Sequence, residues 1–295
     1  PDLNEDELKL ISVFSKEINN SKRVDESLIL RALLNGESLS IDGLALIVKE
    51  TYGYQMDPNI VPSLINNLNL GFVTEKKNKE IRPVGEIYGF NIIELMDNHF
   101  CWHPEFTTYL TNETFVRFLK DSTDYAINQY TEQFSLPDFN DGFQLYRKYS
   151  RKDVFRILNQ KVNPLAQNVG GYMINQDKTS CPIFVNYHKS EDIADTIKYE
   201  DNFINESVFS WMFKSRRTLN SPEVKLFKNY HSGFRIPLFI KKNGDEGQEL
   251  YYMGDVSPEP GSFEQTNISG VSVVKVNLIM HNEVRSDIYH YLINE

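Results

Sequence analysis

A stretch in the last third of the chain combines aromatic and basic side chains at a spacing that suits contact with a polyanion. Phe209, Trp211 and Phe213 share one face of an expected strand, and the run from Lys214 to Arg217 follows directly. Lysine, arginine and serine side chains donate hydrogen bonds to phosphate oxygens, and an exposed ring stacks on a nucleobase. The spacing therefore favours a nucleic-acid surface, although burial in a core is the plainer interpretation for the two phenylalanines and for Trp211.

Other rings lie beside residues that could help to read a base. Tyr172 follows a glycine pair, and Tyr187 precedes His188-Lys189, positions that suit the mouth of a barrel. The acids Asp201 and Asp255 could accept a hydrogen bond from an exocyclic amine. A cytosine lifted out of a duplex is held by stacking between rings and by polar groups on its Watson–Crick edge, and an added methyl group would need an apolar wall. The candidate residues of such a modified-base pocket are Tyr172, Tyr187, Trp211, Asp201 and Asp255.

The distribution of charge supports a polyanion site in the second half of the chain. The net charge of −10 at first argues against a nucleic-acid partner. Residues 1–142, however, contain 12 Lys and Arg against 23 Asp and Glu, a net charge of −11. Of the 31 basic and 41 acidic side chains, the remaining 19 basic and 18 acidic ones lie in residues 143–295, which gives a net charge of +1. The basic residues of this half are clustered. Candidate contacts to the DNA backbone are Arg147, Tyr149, Arg151, His188, Lys189, Lys214, Ser215, Arg216 and Arg217.

Motifs for catalysis, metals and phosphate chains are missing from the sequence. It has no glycine-rich phosphate loop, and His99, Cys101 and His103 supply no fourth metal ligand. The acids around Asp192 and Asp195 lack the lysine that accompanies them in metal-dependent nucleases. We therefore expect no catalytic residue, metal site or cofactor in this chain, and we expect that it is not an enzyme by itself.

Length and composition are typical of a two-domain protein of a reducing compartment. The 295 residues suffice for two separate cores. Cys101 and Cys181 are 80 positions apart, which suits free thiols in the cytoplasm. No apolar stretch approaches the roughly 18 residues of a membrane span, so no membrane partner is expected. Because the first residue is Pro1 and not Met, we expect a piece of a longer protein.

The first half of the chain predicts a helical domain that includes a β-hairpin. Apolar residues recur at helical spacing in four successive segments, and extended segments follow at 71–74 and 81–93. Three helices followed by a hairpin is the order of a winged-helix domain, a fold that serves both DNA binding and protein coupling. The helix after Asp57 has no Lys or Arg up to Leu70, and a recognition helix without a cation is a poor binder of DNA. We therefore expect an acidic, winged-helix-like coupler over residues 1–142.

A turn-rich run, Ser135–Gly142, follows a further expected helix over 107–130 and is the best candidate for a linker. Beyond it a short helix is expected at Arg151–Leu158 and a helical turn at Ile193–Ile197. Strands are expected at Gly170–Asn175, Cys181–Tyr187, Val208–Phe213, Arg235–Lys241, Leu250–Val256 and Val271–His281. Strands joined by long, uneven connections suit a curled, partly closed barrel and not a parallel sheet. The predicted fold class is therefore α+β, with a β-rich recognition domain over residues 143–295.

Several short motifs of the second half come in an order that resembles a known family. They are Tyr149-Ser-Arg-Lys-Asp-Val154, Val169-Gly-Gly-Tyr172, Pro182-Ile-Phe-Val185 with Tyr187-His-Lys189, Tyr199-Glu-Asp201, Phe209-Ser-Trp211 through Ser215-Arg216, Pro237-Leu-Phe239 and Tyr251-Tyr-Met-Gly254. From Phe143 to Glu295 the chain resembles the C-terminal domain of SauUSI-like type IV restriction endonucleases. In that family the domain follows a phospholipase-D-type nuclease and a DEAD/DEAH-type helicase. The acidic region before it resembles, less specifically, the segment that joins helicase to reader.

The resemblance implies that this chain recognises the target of a larger, ATP-dependent endonuclease. The implied partners are double-stranded DNA with 5-methylcytosine or 5-hydroxymethylcytosine, and the upstream helicase and nuclease domains of the same chain. ATP and Mg²⁺ would serve the parent enzyme and not this fragment. By analogy the barrel would be SRA/PUA-like and would flip the modified base. At Arg216-Arg217 the family often has Gln-Asn, so these two arginines depart from the pattern.

Two other functions remain open at the level of sequence. The main alternative is a protein–protein module that couples helicase to nuclease without base specificity, and DNA affinity that is lost at moderate salt would identify it. A metal-dependent nuclease is the third possibility, and cleavage of a plasmid with Mg²⁺ but without ATP would reveal it.

Overall fold

The computed structural model describes residues 2–189 and 201–295, and the chain forms two compact units. The first unit comprises Pro1–Gly142 and Phe155–Asn163, and the second comprises Phe143–Val154 and Pro164–Glu295. The chain therefore passes from one unit to the other three times. The first passage falls at the end of the turn-rich run, and the other two follow Val154 and Asn163.

The first unit is mainly helical and includes a three-stranded and a two-stranded antiparallel sheet. Its helices are α1 Glu5–Val13, which a π-helical turn Phe14–Ile18 extends, α2 Asp25–Leu34, α3 Ile41–Tyr52, α4 Val61–Leu68, α5 Val84–Tyr88 and α6 Glu113–Gln133. Its strands are β1 Leu39–Ser40, β2 Thr74–Lys77, β3 Glu80–Pro83, β4 Ile93–Met96, β5 His99–Trp102 and β6 Phe139–Asn140. The larger sheet has the order β1-β5-β4, and β2 and β3 form a hairpin. The core of the unit surrounds α2, most of whose residues are buried.

Local signals in the sequence account for several helix ends. Asn4 and Glu7 form a capping box at α1, in which each side chain accepts a hydrogen bond from the other residue's backbone N–H. Gly53 ends α3 in the left-handed conformation with φ of 83°. The predicted extended segment 81–93 is only partly extended, because Pro83 has no N–H to continue the hairpin and α5 begins directly after it.

The run predicted as a linker, Ser135–Gly142, is a structured part of the first unit. Leu136–Asp138 forms a 3₁₀ turn that leads into β6. The Phe139 ring stacks on Tyr54 with 4.2 Å between the ring centroids. An aromatic side chain thus anchors a segment whose composition is otherwise typical of a loop.

A network of buried charges completes the first unit. Glu26 is fully buried, and its carboxylate oxygens lie 2.8 Å from the Arg23 Nε atom and 2.8 Å from the Arg156 Nη1 atom. Burial alone would raise the pKa of Glu26, but the two guanidinium groups outweigh it and lower the pKa to about 2. Through Arg156, the segment Phe155–Asn163 therefore supplies one of the two cations that compensate the charge of Glu26 in α2.

The second unit contains an eight-stranded, mostly antiparallel sheet that curls into a half-barrel. The strands of the unit are β7 Phe143–Gln144, which is not part of this sheet, and the eight strands of the sheet, β8 Lys148–Ser150, β9 Ile183–Asn186, β10 Asn202–Asn205, β11 Val208–Met212, β12 Pro237–Lys241, β13 Glu249–Pro258, β14 Glu264–Ile268 and β15 Val271–Met280. The order is β10-β11-β15-β13-β12-β9, with β14 beside β15 and β8 beside β13. The long strand β13 pairs first with β8 and β12 and then, through its last residues, with β15, which turns the sheet.

Helices flank this sheet, and the whole chain is of the mixed α+β class. They are α7 Arg151–Ile157, whose last residues belong to the first unit, α8 Ala166–Val169, α9 Pro222–Lys228 and α10 Ser286–Ile293. The helices α8, α9 and α10 and the strands β7, β8, β10 and β14 were not predicted. In the part of the chain that the structure describes, no helix is long and apolar enough to cross a membrane.

Two predicted elements of the second half have a different outcome. The segment Gly170–Asn175 is not a strand, because α8 ends at Val169 and only Tyr172 pairs, in an isolated bridge with Ile183. The pairing of β9 with β12 is parallel, within a described sheet whose other pairings are antiparallel and which therefore agrees with the prediction that it is not a parallel sheet. The predicted helical turn Ile193–Ile197 lies outside the described residues.

Candidate functional site

A cavity of about 280 Å³ lies in the second unit between the ends of β9 and β11 and the segment before β9. Its lining residues are Arg151, Gly170–Tyr172, Phe184–Asn186, Lys189, Asp201 and Trp211–Lys214. The strands supply the apolar part of the lining, and the residues directly after them supply the charged part. This arrangement gives an apolar cavity with a small number of polar groups, as in many ligand sites.

Asp201 is the one acid among the described residues of the lining. Its Oδ1 atom accepts a hydrogen bond from the backbone N–H of Met212 at 3.0 Å, and its Oδ2 atom lies 3.5 Å from the Nζ atom of Lys189. Burial raises the pKa of the carboxyl to about 6, although the Lys189 charge and the Met212 amide act in the opposite direction. The carboxyl group can therefore accept hydrogen bonds at neutral pH and donate one in mildly acidic solution.

Tyr172 and Trp211 form an aromatic wall of the cavity. Their ring centroids are 5.0 Å apart in an edge-to-face arrangement. The ammonium group of Lys214 lies 4.5 Å from the Tyr172 ring centroid and donates a hydrogen bond to the Tyr172 carbonyl oxygen at 3.0 Å. Only 3% of Tyr172 and 2% of Trp211 is exposed, so Tyr172 lies deeper than the mouth position predicted for it, while the burial of Trp211 agrees with the plainer interpretation of its position. They contribute to the core of the unit as well as to the cavity.

Asn186 is a polar residue of the lining that sequence reasoning missed. It ends β9, and its Oδ1 atom is buried with no hydrogen-bond partner among the described residues. The signal that could have found it is the single amide at the end of the apolar run Ile183–Val185. A polar side chain there is unexpected for a strand that is otherwise buried.

Basic side chains surround the cavity. Lys189 and Lys214 lie on one part of the lining, and Arg151, at the start of α7, lies 5.2 Å from the Phe184 ring centroid. Burial lowers the pKa of Arg151, and no described carboxylate forms an ion pair with it. Lys241 is close enough that the Arg151 charge, after the larger effect of burial, lowers its pKa. The rim therefore has an excess of positive charge over the single acid.

The sequence of the second unit matches a family model over most of its length. That model, described as Domain of unknown function (DUF3427), covers residues 143–292, which is just over half of the chain. The chain belongs to this family. A second model, Domain of unknown function (DUF8090), matches residues 1–133. Among curated proteins no relative was found.

Three of the solved structures with some likeness to this chain concern modified DNA. Two are complexes with methylated DNA, and the third is an enzyme that depends on DNA modification. The SUVH5 SRA domain in complex with fully methylated CG DNA has a TM-score of 0.33 and 13% identity, covering 49% of this chain and 93% of the other. KRYPTONITE in complex with mCHG DNA and SAH has a TM-score of 0.32 and 11% identity, and the match covers 62% of this chain and 41% of the other. The DNA modification-dependent restriction endonuclease AspBHI has a TM-score of 0.28 and 13% identity, and the match covers 39% of this chain and 34% of the other. TM-scores this low do not establish a common fold.

The cavity brings together three of the five predicted pocket residues. Tyr172, Trp211 and Asp201 line it, whereas Tyr187 and Asp255 do not. The Tyr187 ring stacks on Phe203 at 5.9 Å, and its hydroxyl oxygen accepts a hydrogen bond from the Phe203 N–H. The Asp255 carboxylate accepts hydrogen bonds from the Tyr252 hydroxyl group at 2.7 Å and from Arg235 at 2.8 Å. Both side chains are thus occupied by contacts within the fold.

Some predicted contacts to the DNA backbone are also occupied within the fold. Tyr149 is 1% exposed, and its hydroxyl oxygen accepts a hydrogen bond from the Gln144 N–H, so it is a core residue and cannot reach a phosphate. A ring nitrogen of His188 lies 2.8 Å from the Leu292 carbonyl oxygen. Arg217 forms an ion pair with Glu223.

The other candidates for contact with the DNA backbone differ in their exposure. Arg216 is exposed and adopts φ of 67°, while Arg147, Lys189, Lys214 and Ser215 are half-buried. Within residues 2–189 and 201–295 no group of three or more His, Cys, Asp or Glu side chains could hold a metal ion. Cys101 and Cys181 are both free thiols, as expected from their separation.

Proposed function

We propose that the second unit binds double-stranded DNA that contains a modified cytosine, either 5-methylcytosine or 5-hydroxymethylcytosine, and takes the extruded base into the cavity. The observation that supports this most is the combination of one buried carboxyl group, Asp201, with apolar and aromatic walls and a basic rim. An extruded base needs these three features: a polar group for its Watson–Crick edge, walls for its faces and cations for the flanking phosphates.

The size of the cavity suits a single base. Its volume of about 280 Å³ lies near the lower end, roughly 300 Å³, of the range typical of small-molecule sites. A base fits this space while its sugar and phosphates remain at the opening. The side chains of Trp211 and Met212 provide the apolar surface that a 5-methyl group requires.

The chemistry of Asp201 matches the edge of cytosine. Cytosine presents an amine donor at C4 beside an acceptor at N3. An ionised carboxylate accepts from the amine, and a protonated one can also donate to N3. Because burial raises the pKa of Asp201 to about 6, both forms are accessible at mildly acidic to neutral pH. Thymine has a carbonyl oxygen at C4, which would place an acceptor where the ionised carboxylate needs a donor.

The basic rim provides contacts for phosphates on both sides of the base. Arg151 and Lys189 lie beside the cavity, and Arg147, Ser215 and Arg216 extend the candidate backbone surface. A base that stacks on Tyr172 must displace the Lys214 ammonium group from that ring face, where it now lies 4.5 Å from the centroid. The displaced ammonium group would then be available to a phosphate.

We further propose that the chain is the recognition portion of a SauUSI-like type IV restriction enzyme of the cytoplasm. Residues 143–295 would be its SRA/PUA-like reader, and residues 1–142 would be a winged-helix-like coupler to upstream helicase and nuclease domains. The nuclease and the ATPase, with ATP and Mg²⁺, would then belong to the parent protein and not to this chain. The net charge of −11 in residues 1–142 makes the first half a poor partner for DNA and supports the coupling role.

Binding to matched duplexes tests this proposal. The full chain is titrated with duplexes that differ only in one cytosine, which is unmodified, 5-methylated or 5-hydroxymethylated, at two salt concentrations. We expect tighter binding of the modified duplexes at both concentrations. A 2-aminopurine next to the modified cytosine should brighten on binding as its neighbour leaves the stack.

Two results would contradict the proposal in different ways. Equal affinity for all three duplexes, lost at moderate salt, would leave a coupling module without base specificity. A preference for modified DNA without any brightening would mean that the modification is read in the major groove of an intact duplex.

A further inference from the structure

The first unit contains a cavity of its own, which the proposed DNA site does not use. Its volume is about 340 Å³, within the range of roughly 300–1,000 Å³ that is typical of small-molecule sites. Every described lining residue belongs to the first unit. Apolar walls are supplied by Tyr54 and Phe139, whose rings stack on each other, and by Met56, Ile60 and Leu136.

The charged residues of the lining give the cavity a negative character. Asp25, Asp57 and Asp141 line it, and Arg23 is the one base among the described lining residues. The Arg23 side chain already donates hydrogen bonds to both carboxylate oxygens of Glu26, at 2.8 and 3.1 Å. An anionic ligand would compete with these bonds, whereas a cationic ligand would not.

Asp25 is the buried acid of this set. It is 3% exposed, while Asp57 and Asp141 are exposed side chains. In the part of the chain that the structure describes, no other residue donates a hydrogen bond to the Asp25 carboxyl group or lies at ion-pair distance from it. Burial raises the pKa of this group to about 6, although the charges of Arg23 and Arg156 act in the opposite direction. The fold therefore leaves most of the hydrogen-bonding capacity of a buried carboxyl group unused.

The Asp25 carboxyl group is open to the cavity. The unpartnered polar atoms of this unit that have essentially no accessible surface include Ser63 Oγ and Asn67 Oδ1, but neither oxygen of Asp25. The surface that Asp25 retains contributes to the cavity lining. After the larger effect of burial, the Asp25 charge raises the pKa of Tyr54, which places the carboxylate near another residue of the same lining.

We propose that this cavity binds a small organic cation, whose ammonium or guanidinium group lies against Asp25 and whose apolar body contacts Tyr54 and Phe139. Such a cation brings the N–H donors and the positive charge that the carboxylate lacks. The exposed carboxylates of Asp57 and Asp141 attract the same charge from solution. The site is separate from the proposed DNA site of the second unit, so neither proposal depends on the other.

A pair of probes that differ in charge but hardly in shape tests this inference. Benzylammonium and benzyl alcohol are titrated separately into the full chain at neutral pH, and binding is followed by NMR of the probe. We expect saturable binding of benzylammonium that is about tenfold or more tighter than that of benzyl alcohol, because a hydrogen bond between two charged groups is the stronger one. Equal affinity for the two probes would overturn the inference.

The variant Asp25→Asn locates the charge that binds the cation. Its affinity for benzylammonium should fall by about tenfold or more, and its affinity for benzyl alcohol should not change. Because burial disfavours the ionised form of Asp25, the variant should unfold at the same urea concentration as the wild type or at a higher one. Unfolding is followed through Trp102 in a Trp211→Phe background.

Asp57→Asn is a second variant that keeps the fold, since the asparagine side chain can still accept the hydrogen bond from the Asn59 N–H. It should bind benzylammonium about two- to threefold more weakly, as expected for an exposed charge. Binding of benzylammonium that neither Asp25→Asn nor Asp57→Asn weakens would show that the probe binds elsewhere, which would overturn the inference.

Asp42→Asn is the matched control. Asp42 is an acid in the first turn of α3, as Asp25 is in the first turn of α2, but it lies outside the cavity lining. Its substitution should leave the affinity for both probes unchanged. An equal loss in Asp42→Asn and Asp25→Asn would mean that the overall negative charge of the unit, and not this cavity, attracts the cation.

Discussion

The two units each bury a carboxyl group beside basic side chains, but they differ in how completely the charge is satisfied. In the first unit the oxygens of Glu26 lie 2.8 Å from the guanidinium groups of Arg23 and Arg156, which lower its pKa to about 2 against the effect of burial. In the second unit Asp201 has one amide and one ammonium partner among the described residues, the latter at 3.5 Å, and burial raises its pKa to about 6.

The difference separates a group that holds a fold together from one that is suited to a ligand. Glu26 has its charge compensated by the protein, so it stabilises the native state only as long as both partners remain. Asp201 is buried at a net cost in stability at neutral pH, and it lines a cavity. A ligand that donates a hydrogen bond to Asp201 would offset this cost. Perturbed carboxyl groups in cavities are therefore better functional candidates than equally buried ion pairs.

The largest expected effect is the loss of stability when the network of the first unit is broken. Arg156→Met leaves Glu26 buried with one cation instead of two and should lower the free energy of unfolding of the first unit by about 3–5 kcal/mol. The measurement is urea unfolding followed by fluorescence in a Trp211→Phe background, where Trp102 of the first unit is the one tryptophan left.

The control for this prediction is an exposed ion pair. Arg82→Met removes the partner of Glu86, which lies at the surface of the same unit, and should leave the unfolding curve unchanged. An Arg156→Met variant that unfolds like the wild type would show that Glu26 does not depend on Arg156, and the contrast between the two carboxyl groups would lose its basis.

The pH dependence of stability should have opposite signs for the two carboxyl groups. Because the folded chain holds the Asp201 proton more tightly than the unfolded chain, stability should fall as the pH rises from about 4 to about 6, by up to about 3 kcal/mol. Glu26, whose pKa is lowered, instead contributes stability at neutral pH that is lost as the pH falls towards 2. Unfolding of a Trp102→Phe variant, followed through Trp211, reports the second unit across this range.

Asp201→Asn isolates the contribution of Asp201 to that slope. The variant cannot take up this proton, so its stability should depend less on pH between 4 and 6 than that of the parent, while Asp25 of the first unit, whose pKa burial also raises to about 6, is common to both proteins. An unchanged slope would show that the carboxyl group is not the one that titrates.

The same substitution should weaken DNA binding. Asp201→Asn replaces one acceptor by an amide donor opposite the cytosine amine, which should cost about 1–3 kcal/mol, a roughly 5- to 150-fold loss of affinity for modified duplexes. Tyr187→Phe is the comparison, because Tyr187 lies outside the cavity lining. This variant should bind modified DNA with the affinity of the wild type. The reverse result, with Tyr187 sensitive and Asp201 not, would place the base at another site.

The smallest effect concerns the basic rim. Arg151→Gln should lower the affinity for modified and unmodified duplexes alike, and it should reduce the slope of log affinity against log salt concentration by about one unit. Arg217→Gln should change the slope less, because Arg217 is paired with Glu223 in the free protein. Loss of the preference for modified DNA in Arg151→Gln, with the salt slope intact, would indicate that Arg151 contacts the base and not the backbone.

Much of the second unit was predictable because its strands follow local rules. The apolar runs that became β9, β11, β12, β13 and β15 were found from composition and spacing. The less apolar strands β10 and β14 were missed, since exposed strands carry a weak hydrophobic signal. The extended appearance of Gly170–Asn175 was misleading, because a single bridge at Tyr172 and not a strand aligns this segment with β9.

The site was predicted in part for a related reason. Asp201 and Asp255 were equivalent candidates by sequence, and the partners that distinguish them are long-range. Met212 binds Asp201 across the ladder of β10 and β11, while Arg235 and Tyr252 bind Asp255 where β12 and β13 meet.

The sequence by itself determined the charge split between the halves, the absence of known catalytic motifs, and the clustering of rings and cations around positions 209–217. The tertiary structure alone decided that Tyr172 and Trp211 are nearly buried, that Asn186 reaches the same cavity as Asp201, and that Arg156 belongs to the first unit. The physical reason is that burial and hydrogen bonding depend on which residues distant in the chain become neighbours. Spacing along one strand fixes the face on which a side chain lies, but it does not fix what covers that face.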